Sequence, residues 1–348
     1  MIIFISFFSS SCGDDGQSFF VIGNMKRKQE LKELFSLLEK KEQNPEQKFI
    51  IISQIIKSLK ESGNINRLNL FLATYVISNP EDPFDAFYLY RIGQNYLNNN
   101  SIPFAVHYFE RILKNYPDLL YRKESIHFLC LSNLIKLPVF RISKVDYYKD
   151  LISRFGSKIE KGPTFYYLAK TYEELGEWDL STQAYLNFLN SEESSVPGVP
   201  YAREHVEEMI KFHNSNKKWL VKDLDTLVSN IKDALSNVNP GKLYKYKAKV
   251  NFFTMSWEQK ESEAIPEFIS GFRSLLSKRV SFEKNLDIDS NNKEAYLRTW
   301  GWSTWRISEW HLYFRRVYYP ADPGIHGKWE WAGIYFGKKP FAASRNGQ

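Results

Sequence analysis

The chain is 348 residues long, 43% hydrophobic and 16% aromatic, which supplies material for two or three cores and excludes global disorder. Its net charge of +7 is dispersed. The densest basic run, Lys26, Arg27 and Lys28, leads straight into glutamates, so the basic stripe of a nucleic-acid binder is absent. Six histidines without metal-ligand spacing, two cysteines and no GxSxG, HExxH, P-loop or CxxC motif leave no catalytic, metal or cofactor site to expect.

Residues 1–12, MIIFISFFSSSC, run from apolar to small residues and end on Cys12; Gly13, Asp14, Asp15 and Gly16 follow. The apolar run is too short to span a bilayer. This stretch resembles the end of a bacterial lipoprotein signal, in which the cysteine is acylated. That resemblance implies lipid attachment at Cys12, a signal and tether over 1–26, and a place on the periplasmic side of a bacterial envelope. The alternative is an ordinary N-terminal extension, with translation beginning at Met25. Cys130 lies among Phe128, Leu129 and Leu131 and reads as a buried, inert thiol.

From 27 to 42 the spacing of Leu31, Leu34, Phe35, Leu37 and Leu38 predicts an amphipathic helix. Residues 49–82 follow as two helices, with Ile52, Ile55, Ile56 and Leu59 on the first and Leu68, Leu72 and Tyr75 on the second. Gly63 and Asn64 turn between them, and Pro80 ends the pair. The pattern is clearest over 86–119. Leu89, Ile92, Gly93 and Tyr96 form one helical face; Asn98, Asn99 and Asn100 break it; Ala105, Tyr108, Phe109, Ile112 and Leu113 restart it before Pro117. Gly93 and Ala105 predict a close contact between the two helices.

A degenerate pair is expected near 122–136 and 143–154, with Pro138 in its turn. A better one spans 162–195, carrying Phe165, Leu168, Ala169 and Tyr172, then a Leu175–Gly176 turn, then Ser181, Tyr185 and Phe188. Two more helices, 201–213 and 217–238, follow, and the second carries Leu220, Leu224, Leu227, Ile231 and Leu235 on one stripe. Four pairs at this period resemble the tetratricopeptide repeat, a helix–turn–helix unit of about 34 residues. The resemblance implies an α-solenoid over 27–236 with flanking capping helices. It also implies a concave groove that holds a protein partner, lined by Phe87, Tyr90, Gln94, Asn98, Tyr166, Lys170 and Glu173.

Composition shifts at Asn239–Pro240–Gly241, beyond which lie seven of the nine tryptophans. Alternation predicts strands at 243–257, 279–287, 294–305, 307–319 and 327–337 around a helical segment at 262–277, an α+β module over 239–342 with a curved antiparallel sheet. The arrangement is faintly similar to the NTF2-like fold. Its tryptophans read as core rings or as a platform for a second partner or a cell-wall glycan. His311, flanked by Glu309 and Tyr313, is the position where a general base could stand, with His326 in the turn. The combined expectation is a non-enzymatic scaffold with protein partners, a lipid anchor and no nucleic acid. It is similar to the tetratricopeptide lipoproteins of bacterial envelope machines, such as a flagellar collar or an outer-membrane assembly machine. A glycan-binding protein is the alternative, and an enzyme centred on His311 a further one.

Overall fold

The computed structural model describes residues 15–40, 42–192, 195–258, 279–302 and 309–339. Cys12, the helical segment expected at 262–277 and Trp305 lie outside the described residues. The chain divides into two compact units, 1–175 and 176–348.

The first unit is helical. A single turn, α1 (Asp15–Ser18), precedes α2 (Met25–Leu38), α3 (Pro45–Glu61), α4 (Ile65–Ser78), α5 (Asp85–Asn98) and α6 (Ile102–Asn115). A small hairpin, β1 (Leu120–Tyr121) with β2 (Glu124–Ser125), leads to α7 (Ile126–Leu134), α8 (Arg141–Phe155) and α9 (Lys161–Leu175). The helices pack chiefly on their neighbours in sequence. Local chemistry fixes their starts. Asn24, Asn44, Asn64 and Ser125 cap α2, α3, α4 and α7, and Asn44 forms a reciprocal box with Gln47; each such cap contributes about 1 kcal/mol.

The core runs from Leu31 to Phe155, with Ile52, Ile55, Leu59, Leu72, Leu89, Ile92, Ala105, Phe109 and Ile112 fully buried. Gly93 permits the closest approach: a methyl group there would lie 2.6 Å from the Phe109 ring. Asn69 and Asn95 tie α4 to α5 through a buried 2.7 Å hydrogen bond. Two expectations change. Phe20 packs 5.7 Å from Phe71, and Arg67 donates to the Phe19 carbonyl at 2.8 Å, so the segment read as a tether is docked from Phe19 onward. The helix expected from 122 starts only at Ile126. Asp118 accepts from Ser125 Oγ (2.6 Å) and His127 N (3.0 Å), and these bonds fold 118–125 into a hairpin instead.

The second unit opens with α10 (Trp178–Leu189) and α11 (Ala202–Asn214), so the helix pair read at 162–195 is divided between the units. Then come α12 (Leu224–Ser236), α13 (Pro240–Tyr246), β3 (Phe253–Ser256), β4 (Ser281–Phe282), β5 (Glu294–Trp300), β6 (Glu309–Arg316) and β7 (Trp329–Phe336). Sheet order is β3-β7-β6-β5-β4. The last four strands form an antiparallel meander, and β3 pairs parallel to β7. The sheet is therefore mixed, not antiparallel throughout. Asn239 caps α13 and Pro240 opens it, which turns 243–246 into helix; of the expected long strand, 253–256 pairs as β3 and Lys247 keeps one bridge to Trp331.

One sheet face carries this unit's core. Trp310, Trp331, Leu297, Leu312, Phe314 and Ile334 pack with Leu227, Ile231 and Leu235 of α12. The apolar stripe of α12, read as the cap of a solenoid, belongs to this sheet. Its helix starts at Leu224 because Asp223 accepts from Thr226 N at 2.8 Å. Upstream, Trp219 drops into the same core, 1% exposed.

Candidate partner-binding surface

The first unit presents the sequence-predicted groove residues unevenly. Phe87 is core, its ring 4.4 Å from Tyr121 and 5.2 Å from Phe49. Tyr90 is half-buried against Phe109, and its hydroxyl accepts from Gln94 Nε2 at 3.0 Å. Burial pushes the Tyr90 phenol up from its usual value. Gln94 is half-buried and Asn98 exposed, so α5 shows the solvent an amide edge with one tyrosine behind it. On α9, Tyr166 is buried edge-on to Tyr167, and Lys170 pairs with Glu173 at 2.8 Å on the outer surface. Since α5 packs on α4, α6 and α7 while α9 packs on α8, the two sets sit on separate helix neighbourhoods.

A depression of about 660 Å³ lies elsewhere in this unit. Its walls include Ile102, Val106, Val139, Phe140, Lys144 and Glu174. Phe140 is 84% exposed, Ile142 two residues on is exposed too, and so is Phe104 of α6. Arg141 holds Glu174 at 2.6 Å, and Tyr147 donates to Glu110 on the lining. The sequence places Pro138 in a turn and gives no signal for Val139 and Phe140, because a two-residue apolar run has no helical or strand period.

A second feature had a faint signal, Asp-Pro-Phe-Asp before a helix. Asp82 accepts from Phe84 N (2.9 Å) and from the Tyr75 hydroxyl (2.7 Å), which positions the first turn of α5. Asp85 then sits 1% exposed, and neither of its carboxylate oxygens has a hydrogen-bond partner; the Tyr88 hydroxyl is equally buried and unpartnered. Burial, with the charge of Asp82 added, pushes the Asp85 carboxyl up to about 7 against the opposing pull of Arg111. A depression of about 280 Å³ next to Asp82 is lined by Gln43, Lys48, Tyr75 and Glu81. Among the described residues no group of three His, Cys, Asp or Glu side chains could hold a metal.

In the second unit the sheet face away from α12 is aromatic. Trp257 stacks on Tyr335 at 4.2 Å, and Tyr296, Tyr313 and Phe253 complete the layer. His311 lies in this layer, 2% exposed, 5.3 Å from Trp257, with Nδ1 unpartnered. Burial lowers its basicity, and the carboxylate of Glu309 is held by Arg298 at 2.9 Å. His326 is on the surface and accepts from Tyr319 N at 3.1 Å. Trp219, Trp302, Trp310, Trp329 and Trp331 are buried, and Trp300 is 38% exposed. Cys130 is fully buried, and burial pushes its thiol up.

No family model, curated protein or solved structure matches the chain. Among the described residues no helix is long and apolar enough to cross a membrane.

Proposed function

We propose that the protein is a non-enzymatic scaffold. In this reading its helical unit is a tetratricopeptide-like array holding a protein partner, and Cys12 anchors it by lipid to the periplasmic side of a bacterial envelope. The observation that carries the reading is the α5–α6 hairpin. Its two helices close on each other at Gly93 and Phe109, and its outer edge carries exposed Asn98 and half-buried Gln94 with half-buried Tyr90 behind them. An amide edge with a tyrosine behind it suits protein contact, since it offers hydrogen bonds and ring area at low entropy cost. Packing of successive helices on their neighbours supports the array, and the burial of Phe87 and Tyr166 shifts the contact to Tyr90, Gln94, Asn98, Lys170 and Glu173.

The test uses a photo-crosslinking residue at Asn98, at Lys170 and, as control, at the exposed Lys32 on α2. In the native envelope, one discrete partner is expected from the first two positions and not from the third. The same product from all three, or none from any, removes the scaffold reading. Incorporation of labelled palmitate that disappears with Cys12→Ala checks the anchor.

A further inference from the structure

Several cations of the second unit have carboxylate partners. Lys242 meets Asp233 at 2.5 Å, Arg298 meets Glu309 at 2.9 Å, Arg315 meets Glu330 at 2.7 Å, and Lys339 meets Asp289 at 2.7 Å. Lys247 departs from this. It is only 4% exposed, anchored by a backbone bridge to Trp331 just after α13. Its ammonium lies over two rings, 4.2 Å from Phe252 and 5.9 Å from Tyr244. On the same tyrosine, Lys249 lies 3.7 Å from the ring centre and donates to the Tyr244 carbonyl at 2.6 Å.

Among the described residues, the one charge that bears on Lys247 is that of Lys249, and it repels. Burial first, then Lys249, brings the Lys247 ammonium down to about 8; burial alone lowers Lys249. A ring contact offsets only part of the cost of withdrawing an ammonium from water when no counter-charge is supplied. Two ammonium groups about one half-exposed tyrosine, with no carboxylate among the described residues acting on either, are therefore short of negative charge.

We propose that Lys247 and Lys249, set about the Tyr244 ring, form a binding site for a phosphate-monoester dianion. Two positive charges match a dianion, where a carboxylate would leave one uncompensated. Each ammonium offers three rotatable donors to the peripheral oxygens, and the phenol of Tyr244 can add a fourth contact. Inorganic phosphate and a phosphomonoester lipid headgroup share this chemistry. Binding returns a proton to Lys247, so affinity falls as pH rises through about 8. The inference rests on the second unit and is independent of the scaffold reading of the first.

The test labels the lysines of the full chain by reductive ¹³C-methylation, with the Lys247 signal identified by its loss in Lys247→Arg. Its titration is followed in inorganic phosphate and in chloride of equal ionic strength. Phosphate is expected to make Lys247 hold its proton about tenfold more tightly. Because Lys247 is nearly buried, Lys249→Gln is the working variant: it is expected to weaken phosphate binding about tenfold with the circular dichroism spectrum unchanged. Identical Lys247 titrations in the two salts, or undiminished binding in Lys249→Gln, overturns the proposal. Flotation with phosphatidic acid vesicles but not phosphatidylcholine vesicles, lost in Lys249→Gln, assigns a lipid headgroup. A phosphate response without flotation assigns a soluble phosphate, and either result keeps the site.

Discussion

The two units bury their polar groups by opposite strategies. In the helical unit the partners are near in sequence: Gly93 receives Phe109, Asn69 meets Asn95, and Asp118 holds Ser125 and His127. There the buried carboxylate, Asp85, has no hydrogen-bond partner. In the sheet unit one buried acceptor joins a near partner and a distant one. Glu330, 1% exposed, accepts from Trp219 Nε1 at 2.7 Å and from Arg315 Nε at 2.7 Å. Asp85 is left a misfit beside a helix start, whereas each carboxylate oxygen of Glu330 receives a donor. The difference follows from geometry. A helix saturates its own backbone, so its side chains need only fit, while a sheet face must recruit a covering segment such as the one bearing Trp219.

The largest expected effect tests the paired carboxylate. Glu330→Ala strands the indole N–H of Trp219 and the guanidinium of Arg315, one buried and one partly so. Removing one member of such a buried set destabilises by about 3 kcal/mol. The urea midpoint of the sheet-unit transition should fall accordingly, and Glu330→Gln, which keeps an acceptor for Trp219, should lose less than half as much. Equal losses would mean that the charge pair with Arg315 matters and the indole bond does not.

Asp85 should respond in the reverse direction. Its folded carboxyl binds a proton up to about 7, above the ordinary 3.8, so the folded state is favoured while the group is protonated. Stability from this residue is therefore full below pH 3.8, falls as pH rises toward 7, and is flat beyond. Asp85→Asn removes the slope. At pH 8 it should gain about 2 kcal/mol, after the amide's own unpaired groups are discounted, and at pH 3.5 it should gain nothing. Denaturation at the two pH values checks this, and equal effects at both would show that Asp85 has a partner for its charge.

The same contrast governs what the sequence discloses. Helix positions in the first unit follow from a 3.6-residue period with Asn and Pro punctuation, and α5 and α6 match their expected spans closely. The contact at Gly93 was legible because one missing side chain stood on a bulky face. The role of α12 was not legible. Its stripe of Leu227, Ile231 and Leu235 says that a partner exists but not whether it is a helix or a sheet. Trp219 and Asp223 were read as helix, since no period announces that one side chain turns inward while another caps. The parallel pairing of β3 is likewise invisible to a local pattern, because alternation specifies faces and not strand direction. For the candidate surface, Tyr90, Gln94 and Asn98 came from the tetratricopeptide resemblance, and all three lie on α5. Burial of Phe87 depended on Phe49 and Tyr121, which no helical spacing within α5 reveals.

Gly93 and Gly333 carry the comparison down to a single methyl group. At Gly93 a Cβ would meet the Phe109 ring, which is 0% exposed and backed by Tyr90, so nothing can yield without opening the α5–α6 contact. Overpacking of this kind costs about 1–3 kcal/mol, and the better helix propensity of alanine returns about 1. Gly93→Ala should thus lower stability by about 1 kcal/mol, and adding Phe109→Leu should recover part of that loss instead of compounding it.

At Gly333 a Cβ would come 2.7 Å from the ring of Phe253, an equally severe overlap on paper. Phe253 is only half-buried, however, and stands at the start of β3, the edge strand of the sheet. Its ring is the far end of a side chain that can rotate away from β7, and alanine is the better strand residue. Gly333→Ala should therefore change stability by less than about 0.5 kcal/mol, with the adjustment appearing as altered near-ultraviolet circular dichroism from Tyr313 and Tyr335, which contact Phe253. A loss at Gly333 as large as that at Gly93 would show that the edge strand is held as firmly as the helix hairpin, and that the aromatic layer around His311 is as tightly packed as the core behind it.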